Sequence, residues 1–290
     1  MGRDAERLTV AVPGGARLYE RAAPAPRPAD GELDALWHLD EGRTFFAGPL
    51  DYNASHQHGA PVYLAGLYGP FGLRVKGGQW RSVRTAMIPA GVRHELHLQG
   101  QPLGVFYIEP DFAGADAFVP LLCDTSEERG ALIGRTGEWR SLRALYEARD
   151  ATRWAGAALS DLLRFSRRRA RREMDPRIAR VVAGMSSAVT SERGPAEPAS
   201  VARLAAGVGL SASRFQHLFT REVRVPFRRY RAWQRMRGAI AEIVRGRTFT
   251  EASHAAGFAD QAHFGHDFRR TFGEVASKSL MKVRAPDAGR

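Results

Sequence analysis

The chain has 290 residues, 44% hydrophobic and 26% charged, enough for two domains that each bury a core. No apolar stretch approaches the roughly 20 residues of a membrane helix, and the single cysteine, Cys123, excludes an internal disulfide or a cysteine-clustered zinc site. The net charge of +12 is lopsided: residues 1–166 hold 18 basic and 20 acidic residues, whereas residues 167–290 hold 25 and 11. Almost all the bases are arginines, and their segregation directs the second half toward an anionic partner, nucleic acid first.

In chain order, the opening residues mix charges of both signs, which reads against a secretion signal and makes the cytoplasm the expected compartment. Residues 1–35, with the Pro/Ala-rich RAAPAPRPADGE, are expected to be an arm. Short β-type runs follow (LWHL, PVYLAGLYG, FGLRVKGG, WRSVRTAMIPAG, LGVFYIEP), with Gly and Pro punctuation about every 8–12 residues. They predict a small sandwich or barrel over 36–137. From 138 to 174 the period changes to three and four, with Leu142, Leu145, Tyr146, Leu159, Leu162 and Leu163 on a helical stripe. Two uses of that stripe remain open, contact with a second copy of the chain and packing on its own barrel. Asp175-Pro176 reads as a helix start, SERGPAEPAS (191–200) as a loop, and 175–282 as helices with short turns before a tail at 283–290.

Within the helical half one pattern occurs twice, FQHLF at 215–219 and FGHDF at 264–268. On a helix, Phe215, Leu218 and Phe219 share one face, while Ser213, His217 and Thr220 take the other, flanked by Gln216 and Arg221. In the second copy Phe264 and Phe268 face inward, and Ala262, His266, Arg269 and Arg270 face outward, with Gln261 in the turn ahead of them. Each copy follows a short helix that runs into a Gly-hydrophobic pair, Gly209-Leu210 or Gly257-Phe258, and then a polar turn. That order is a helix–turn–helix, whose second helix enters the major groove of DNA. PFRRYRAWQRMRGAIAEIVRG (226–246) between them reads as one continuous helix of about 30 Å, close to one turn of B-DNA.

The residues LAAGVGLSASRFQHLF, Tyr230, Arg235, Ala239, Ile243, Gly246 and AAGFADQAHFGHDFRRTFG resemble the DNA-binding domain of AraC/XylS-family transcriptional regulators over 175–280. The resemblance implies two helix–turn–helix units joined by a helix, reading double-stranded DNA. Three positions depart from the family pattern. Ala252-Ser253 replaces Ile-Ala, which predicts looser packing of the second unit. Ala276 stands where a proline is usual, and Arg224 where a glycine commonly ends the first recognition helix. If a left-handed backbone is needed at 224, arginine costs about 1 kcal/mol there.

In the first half, SHQHGAPVYLAG (55–66) carries His56 and His58 at strand spacing, and MIPAGVRHEL carries His94 after a Pro89-x-Gly91 turn. These resemble the two signature motifs of the cupin β-barrel, the sensor half of many AraC-family proteins. The expected fold class is therefore α+β with two domains: a cupin-like barrel plus helices, then an all-α double helix–turn–helix domain. No carboxylate follows His-x-His, where metal-binding cupins typically have one. The resemblance therefore implies no metal cofactor, with His56, His58 and His94 as the alternative metal set. The candidate contacts for a small-molecule effector are His56, His58, Tyr63, Trp80, His94 and Phe106. The resulting expectation is an effector-responsive transcription factor, a homodimer that meets RNA polymerase if it activates, with no membrane partner and no catalysis. The alternative is a metal-dependent cupin enzyme or metal sensor carrying an accessory DNA-binding domain. In a third version the second unit no longer reads DNA.

Overall fold

The computed structural model describes residues 33–111, 114–148, 150–167, 174–190 and 200–283. Most of the expected arm, the loop at 191–199 and nearly all of the tail lie outside these residues. Eleven strands in the described residues form two antiparallel sheets. The larger has the order β1 (Leu36–Leu39), β2 (Arg43–Pro49), β9 (Pro102–Ile108), β4 (Val62–Gly66), β7 (Thr85–Ile88), β11 (Ala131–Gly137), β10 (Leu122–Glu128). The smaller has the order β3 (Tyr52–His56), β8 (His94–His97), β5 (Phe71–Val75), β6 (Arg81–Val83).

Alternation along the strands explains the layering. In β5, Phe71, Leu73 and Val75 are buried while Gly72 and Arg74 are half-buried, so one face of the small sheet meets solvent. β4 and β9 are buried at every position, so both faces of the large sheet are covered. Val62, Leu64, Val105 and Tyr107 meet the small sheet's Leu73, Val75 and Leu96. Tyr63, Ala65, Phe106 and Ile108 point the other way, against a 3-10 turn at Ala115–Leu121 and helices α1 (Arg140–Glu147) and α2 (Ala151–Arg167). Leu142, Leu145, Tyr146, Leu159 and Leu163 pack there, with Leu162 partly buried, so most of the helical stripe lies against the chain's own barrel.

The second half folds as α3 (Pro176–Thr190), α4 (Val201–Gly207), α5 (Ala212–Val223), α6 (Phe227–Val244), α7 (Phe249–Ala255), α8 (Gln261–Phe272) and α9 (Ala276–Leu280). Polar caps start these helices, at Asp175 where the sequence placed one. Asp175 Oδ1 accepts from Arg177 N at 3.0 Å, Ser211 from Arg214 N at 3.3 Å and Asp260 from His263 N at 2.7 Å. Thr248 and Glu251 form a reciprocal capping box on α7. The looser packing expected at Ala252-Ser253 does not occur. Both are fully buried, and the Ser253 hydroxyl donates to Phe249 O at 2.6 Å, so the serine is accommodated without an orphaned polar group. Arg224 does adopt the left-handed backbone (φ 69°) that ends α5.

The two halves do not keep separate cores. One apolar cluster runs from Val62, Leu73 and Val105 inside the barrel through Trp233 and Phe272 to Phe215 and Phe219 of the first helix–turn–helix.

Candidate effector site at the junction with the DNA-reading helices

Both recognition faces stand clear. On α5, Phe215 and Phe219 are buried against Phe227 and Tyr230, with ring centroids 5.2–5.5 Å apart, and Ser213, Gln216, His217, Thr220 and Arg221 are exposed. On α8, Phe264 and Phe268 are buried, and Gln261, Ala262, His266, Arg269 and Arg270 are exposed. Asp267 between them is turned aside by an ion pair with Arg235 at 2.8 Å, which leaves the outer face of α8 basic. Arg177, from the start of α3, and Arg214 border the same open cleft as His217 and Arg221. The sequence pattern alone did not bring these two to the first reading face.

The three histidines meet. His56 ends β3, His58 lies just beyond it and His94 opens β8, with ring centroids 4.2–5.1 Å apart and all three rings buried. Strand β3 pairs with β8 at His56–His94, which places the two motifs side by side. His56 Nδ1 lies 2.7 Å from Ala54 O and His94 Nδ1 lies 3.0 Å from Val92 O. A carbonyl only accepts, so both rings carry their proton on Nδ1 and present a bare Nε2. His58 Nε2 is 3.3 Å from the Tyr107 hydroxyl. Burial disfavours the charged imidazole: it holds His94 down at about 4 and drives His56 and His58 well below the ordinary range. The triad is neutral at physiological pH.

The cavity beside these rings is an interdomain feature. Its barrel wall is Trp37, Phe46, Leu50, Asn53, His56, His58, Leu64, Leu96, Val105 and Tyr107, and its other wall is Phe268, Phe272, Glu274 and Ser279 from the second helix–turn–helix region. It is partly open to solvent, with a water-accessible volume of about 30 Å³, enough for a small guest. Glu274 is buried, which raises its carboxyl to about 7. Asn53 Oδ1, His58 Nδ1 and His94 Nε2 are buried with no hydrogen-bond partner.

Around the cavity the halves are bolted together. Strand β3 caps the end of α8: Asn53 Nδ2 donates to Phe272 O at 2.8 Å and Ala54 N donates to Gly273 O at 2.9 Å. Gly273 is left-handed (φ 76°), and a Cβ there would fall 2.7 Å from Ala54 N and 2.8 Å from His56 Nδ1. Trp37 Nε1 donates to Ser279 O at 2.9 Å, and Ala35 bridges Val283 at the edge of β1. Deeper in, Glu109 accepts from the Tyr230 hydroxyl at 2.7 Å and from Trp233 Nε1 at 2.9 Å. It also takes Gln234 Nε2 at 2.5 Å and pairs with Arg237 at 3.1 Å, both ends of that pair being fully buried. Arg237 in turn donates to Thr44 Oγ1 at 2.9 Å and to the Asp40 carbonyl.

Three expected effector contacts stand elsewhere. Tyr63 and Phe106 sit opposite each other in the β4–β9 register, at the parity that faces α1 and α2, and the Tyr63 hydroxyl donates to Leu121 O and Glu138 O. Trp80 lies on the outer side of the small sheet under the Arg74 guanidinium, 4.9 Å from its ring centroid. Aromatic type suggested all three, but strand parity decides, and it selects Tyr107 instead. The wall from the second half was not foreseen at all.

The histidine set fits a metal ion. All three offer ligand nitrogens within 4.8 Å of one another, they are neutral, and two hold their lone pairs free because backbone carbonyls fix the tautomer. A bound divalent ion there would supply a Lewis-acidic charge to a site built from lone pairs.

The described residues thus join a sandwich of two sheets to a helical half with two exposed helix–turn–helix faces, the kind of element that docks in DNA grooves. Residues 204–280 match the family model described as Helix-turn-helix domain, within the stretch whose residues resemble AraC-type DNA-binding domains. Comparison with curated proteins gave no match. Among solved structures, an apo single-site variant of ToxT from Vibrio cholerae strain SCE256 superposes with a TM-score of 0.54 at 12% identity, over 84% of this chain and 99% of that one. Unsaturated fatty acid bound wild-type ToxT from the same strain gives 0.53 at 13% identity, over 84% and 97%. ToxT from Vibrio cholerae O395 gives 0.51 at 12% identity, over 83% and 97%. At such identities the likeness is one of fold, the same two-domain architecture.

Proposed function

We propose that the protein is an effector-responsive transcriptional regulator that inserts α5 and α8 into successive major grooves. The observation that carries this reading is the pairing of two exposed recognition faces with a sensor cavity whose wall includes the second one. Arg221, Arg269 and Arg270 hold phosphates and set affinity; Ser213, Gln216, His217, Thr220, Gln261, Ala262 and His266 face the base edges and set preference. The linking helix α6, 18 residues and about 27 Å long, keeps the two heads near one helical turn apart.

The barrel serves as a sensor and not as an enzyme in this reading, because one wall of the histidine cavity comes from the second helix–turn–helix region. An effector acts by favouring either the docked or the parted arrangement of barrel and second unit, and shifts the equilibrium only by its difference in affinity for the two. ToxT has been solved with an unsaturated fatty acid bound. The cavity here lacks a cationic side chain among its lining residues and presents lone pairs and an acid, which does not suit a carboxylate ligand. The protein works as a homodimer in the cytoplasm, and as an activator it would meet RNA polymerase beside its DNA site. Most of the apolar stripe of α1 and α2 packs on the barrel, which favours another surface for the dimer contact. Selection from random duplex DNA followed by hydroxyl-radical footprinting tests the proposal: protection over two successive major grooves per subunit is expected, and binding without sequence preference would overturn it.

A further inference from the structure

We propose that the barrel touches DNA itself: Arg93 of the barrel, Arg229 of α6 and Arg270 of α8 together hold a backbone phosphate between the two major grooves. The inference rests on the reading of α5 and α8 as DNA-reading helices and adds a contact from the other half of the molecule. The turn at 89–93 carries Arg93 to this place. Within it Gly91 is left-handed (φ 79°), and its amide donates to His58 O at 2.9 Å, which fixes the turn. A Cβ added at Gly91 would fall 3.0 Å from Val225 Cγ1, 3.6 Å from Arg229 Nη1 and 3.7 Å from Arg224 O. The turn therefore lies against the end of α5 and the start of α6. Arg229 is tied to the barrel a second time, because its Nη1 donates to Gln57 Oε1 at 3.0 Å.

Like charges meet there without an acid. Arg93 and Arg270 are exposed and Arg229 is half-buried. Partial burial, and then the charges of Arg93 and Arg270, lower the Arg229 pKa from its ordinary value, so both neighbours repel it. None of the three has an ion-pair partner among the described residues, whereas Arg235, Arg237 and Arg245 on the same helix α6 each have one. The partial negative charge at a helix end favours a cation, and Arg224 and Arg270 take those places on α5 and α8. Arg93, brought in by the barrel, is then in excess. An anion seated among the guanidinium groups removes the repulsion and gains charge-assisted hydrogen bonds.

The neighbours of the cluster say which anion. Arg270 belongs to the outward face of α8, and Arg229 follows closely on the Arg224 that ends α5, so the charges stand beside both reading helices and outside the histidine cavity. Heads set in successive major grooves on one side of a duplex have the intervening backbone between them, and its phosphates suit the planar guanidinium fork. Arg93 adjoins His94, so the turn that completes the histidine set also carries the phosphate contact. An effector that displaces this turn changes DNA affinity without touching a base-reading side chain.

The test compares the full-length wild type with Arg93→Gln and with Arg135→Gln, which removes an exposed arginine of β11 as a control for net charge. Arg93 is exposed and its side chain makes no hydrogen bond among the described residues, so Arg93→Gln should fold as the wild type does. Affinity for a selected and an unselected duplex is measured from about 50 to about 200 mM salt. Arg93→Gln should weaken both duplexes alike and lower the salt slope by about 1, losing about three- to fourfold less affinity over that range. Arg135→Gln should keep the wild-type slope. A neutral methylphosphonate walked along the backbone between the protected grooves should weaken the wild type at one or two positions and leave Arg93→Gln unaffected there. A wild-type slope in Arg93→Gln, an equal fall in Arg135→Gln, or the same methylphosphonate profile in both proteins overturns the contact and leaves the two-groove reading standing. Inorganic phosphate that slows amide exchange at 89–93, with the variant's slope unchanged, assigns the cluster to a free anion and also overturns it. A wild type that binds all duplexes alike fails the function reading and the contact with it, and that result shows before any variant is compared.

Discussion

The two helix–turn–helix units repeat one sequence pattern and differ in what lies behind it. In the first, Phe215 and Phe219 rest on Phe227 and Tyr230, and the helix ends at an exposed Arg224 with φ 69°. In the second, Phe268 and Phe272 form part of the cavity wall, and the helix ends at Gly273, pressed against β3. Arginine is tolerated at one end because only its intrinsic left-handed cost applies there. At the other end a side chain would strike the barrel, so glycine is required. The sensor thus grips the end of the second reading helix by hydrogen bonds to its backbone, whereas at the end of α5 its Gly91 turn only packs near Val225 and the Arg224 carbonyl.

That contrast can be broken in a graded way. Glu109→Ala strands the fully buried Arg237 and removes the acceptor shared by Tyr230, Trp233 and Gln234. Chemical denaturation should show a loss of about 3–5 kcal/mol, and a near-neutral result would mean that α6 is not bolted to the barrel. Gly273→Ala combines a left-handed residue with a close approach. It should cost about 1–3 kcal/mol and quicken amide exchange at Ala54, whereas unchanged exchange would show that the capping contact is loose.

On the DNA side, His266→Ala should lose about 1–3 kcal/mol of discrimination at one position of the preferred site. An unaltered preference profile removes His266 from base reading. Arg269→Ala should weaken binding to all duplexes and lower the salt slope by about 1. The smallest effect belongs to Arg224→Gly, which should gain up to about 1 kcal/mol of stability in the first unit; a loss would mean the arginine makes a contact that outweighs its backbone strain.

Much of this was legible in the sequence because it depends on local rules. The 3.6-residue period placed Phe215 and Phe264 inward and His217 and His266 outward, and the Asp175-Pro176 signal fell at a helix start. His-x-His spacing and the Pro89–His94 turn brought the triad together. What failed were questions that only tertiary pairing answers. Strand parity says that Tyr63 and Phe106 share a face, but not which face looks inward. The strands β10 and β11 carry no strong alternation, since β10 is exposed at Cys123 through Glu127. Glu109, Arg237 and Glu274 read in sequence as ordinary charges. They become buried because residues 121–128 positions apart meet across the domain boundary, in the case of Glu109 with Tyr230, Trp233, Gln234 and Arg237.

The most direct measurement of the central claim, that the sensor holds the second reading head, is a hydroxyl-radical footprint on a selected duplex for the wild type and for His94→Ala. Protection over two successive major grooves, with only one of the two altered by the barrel substitution, is the expected result. A footprint of one groove, or equal change in both, would contradict it.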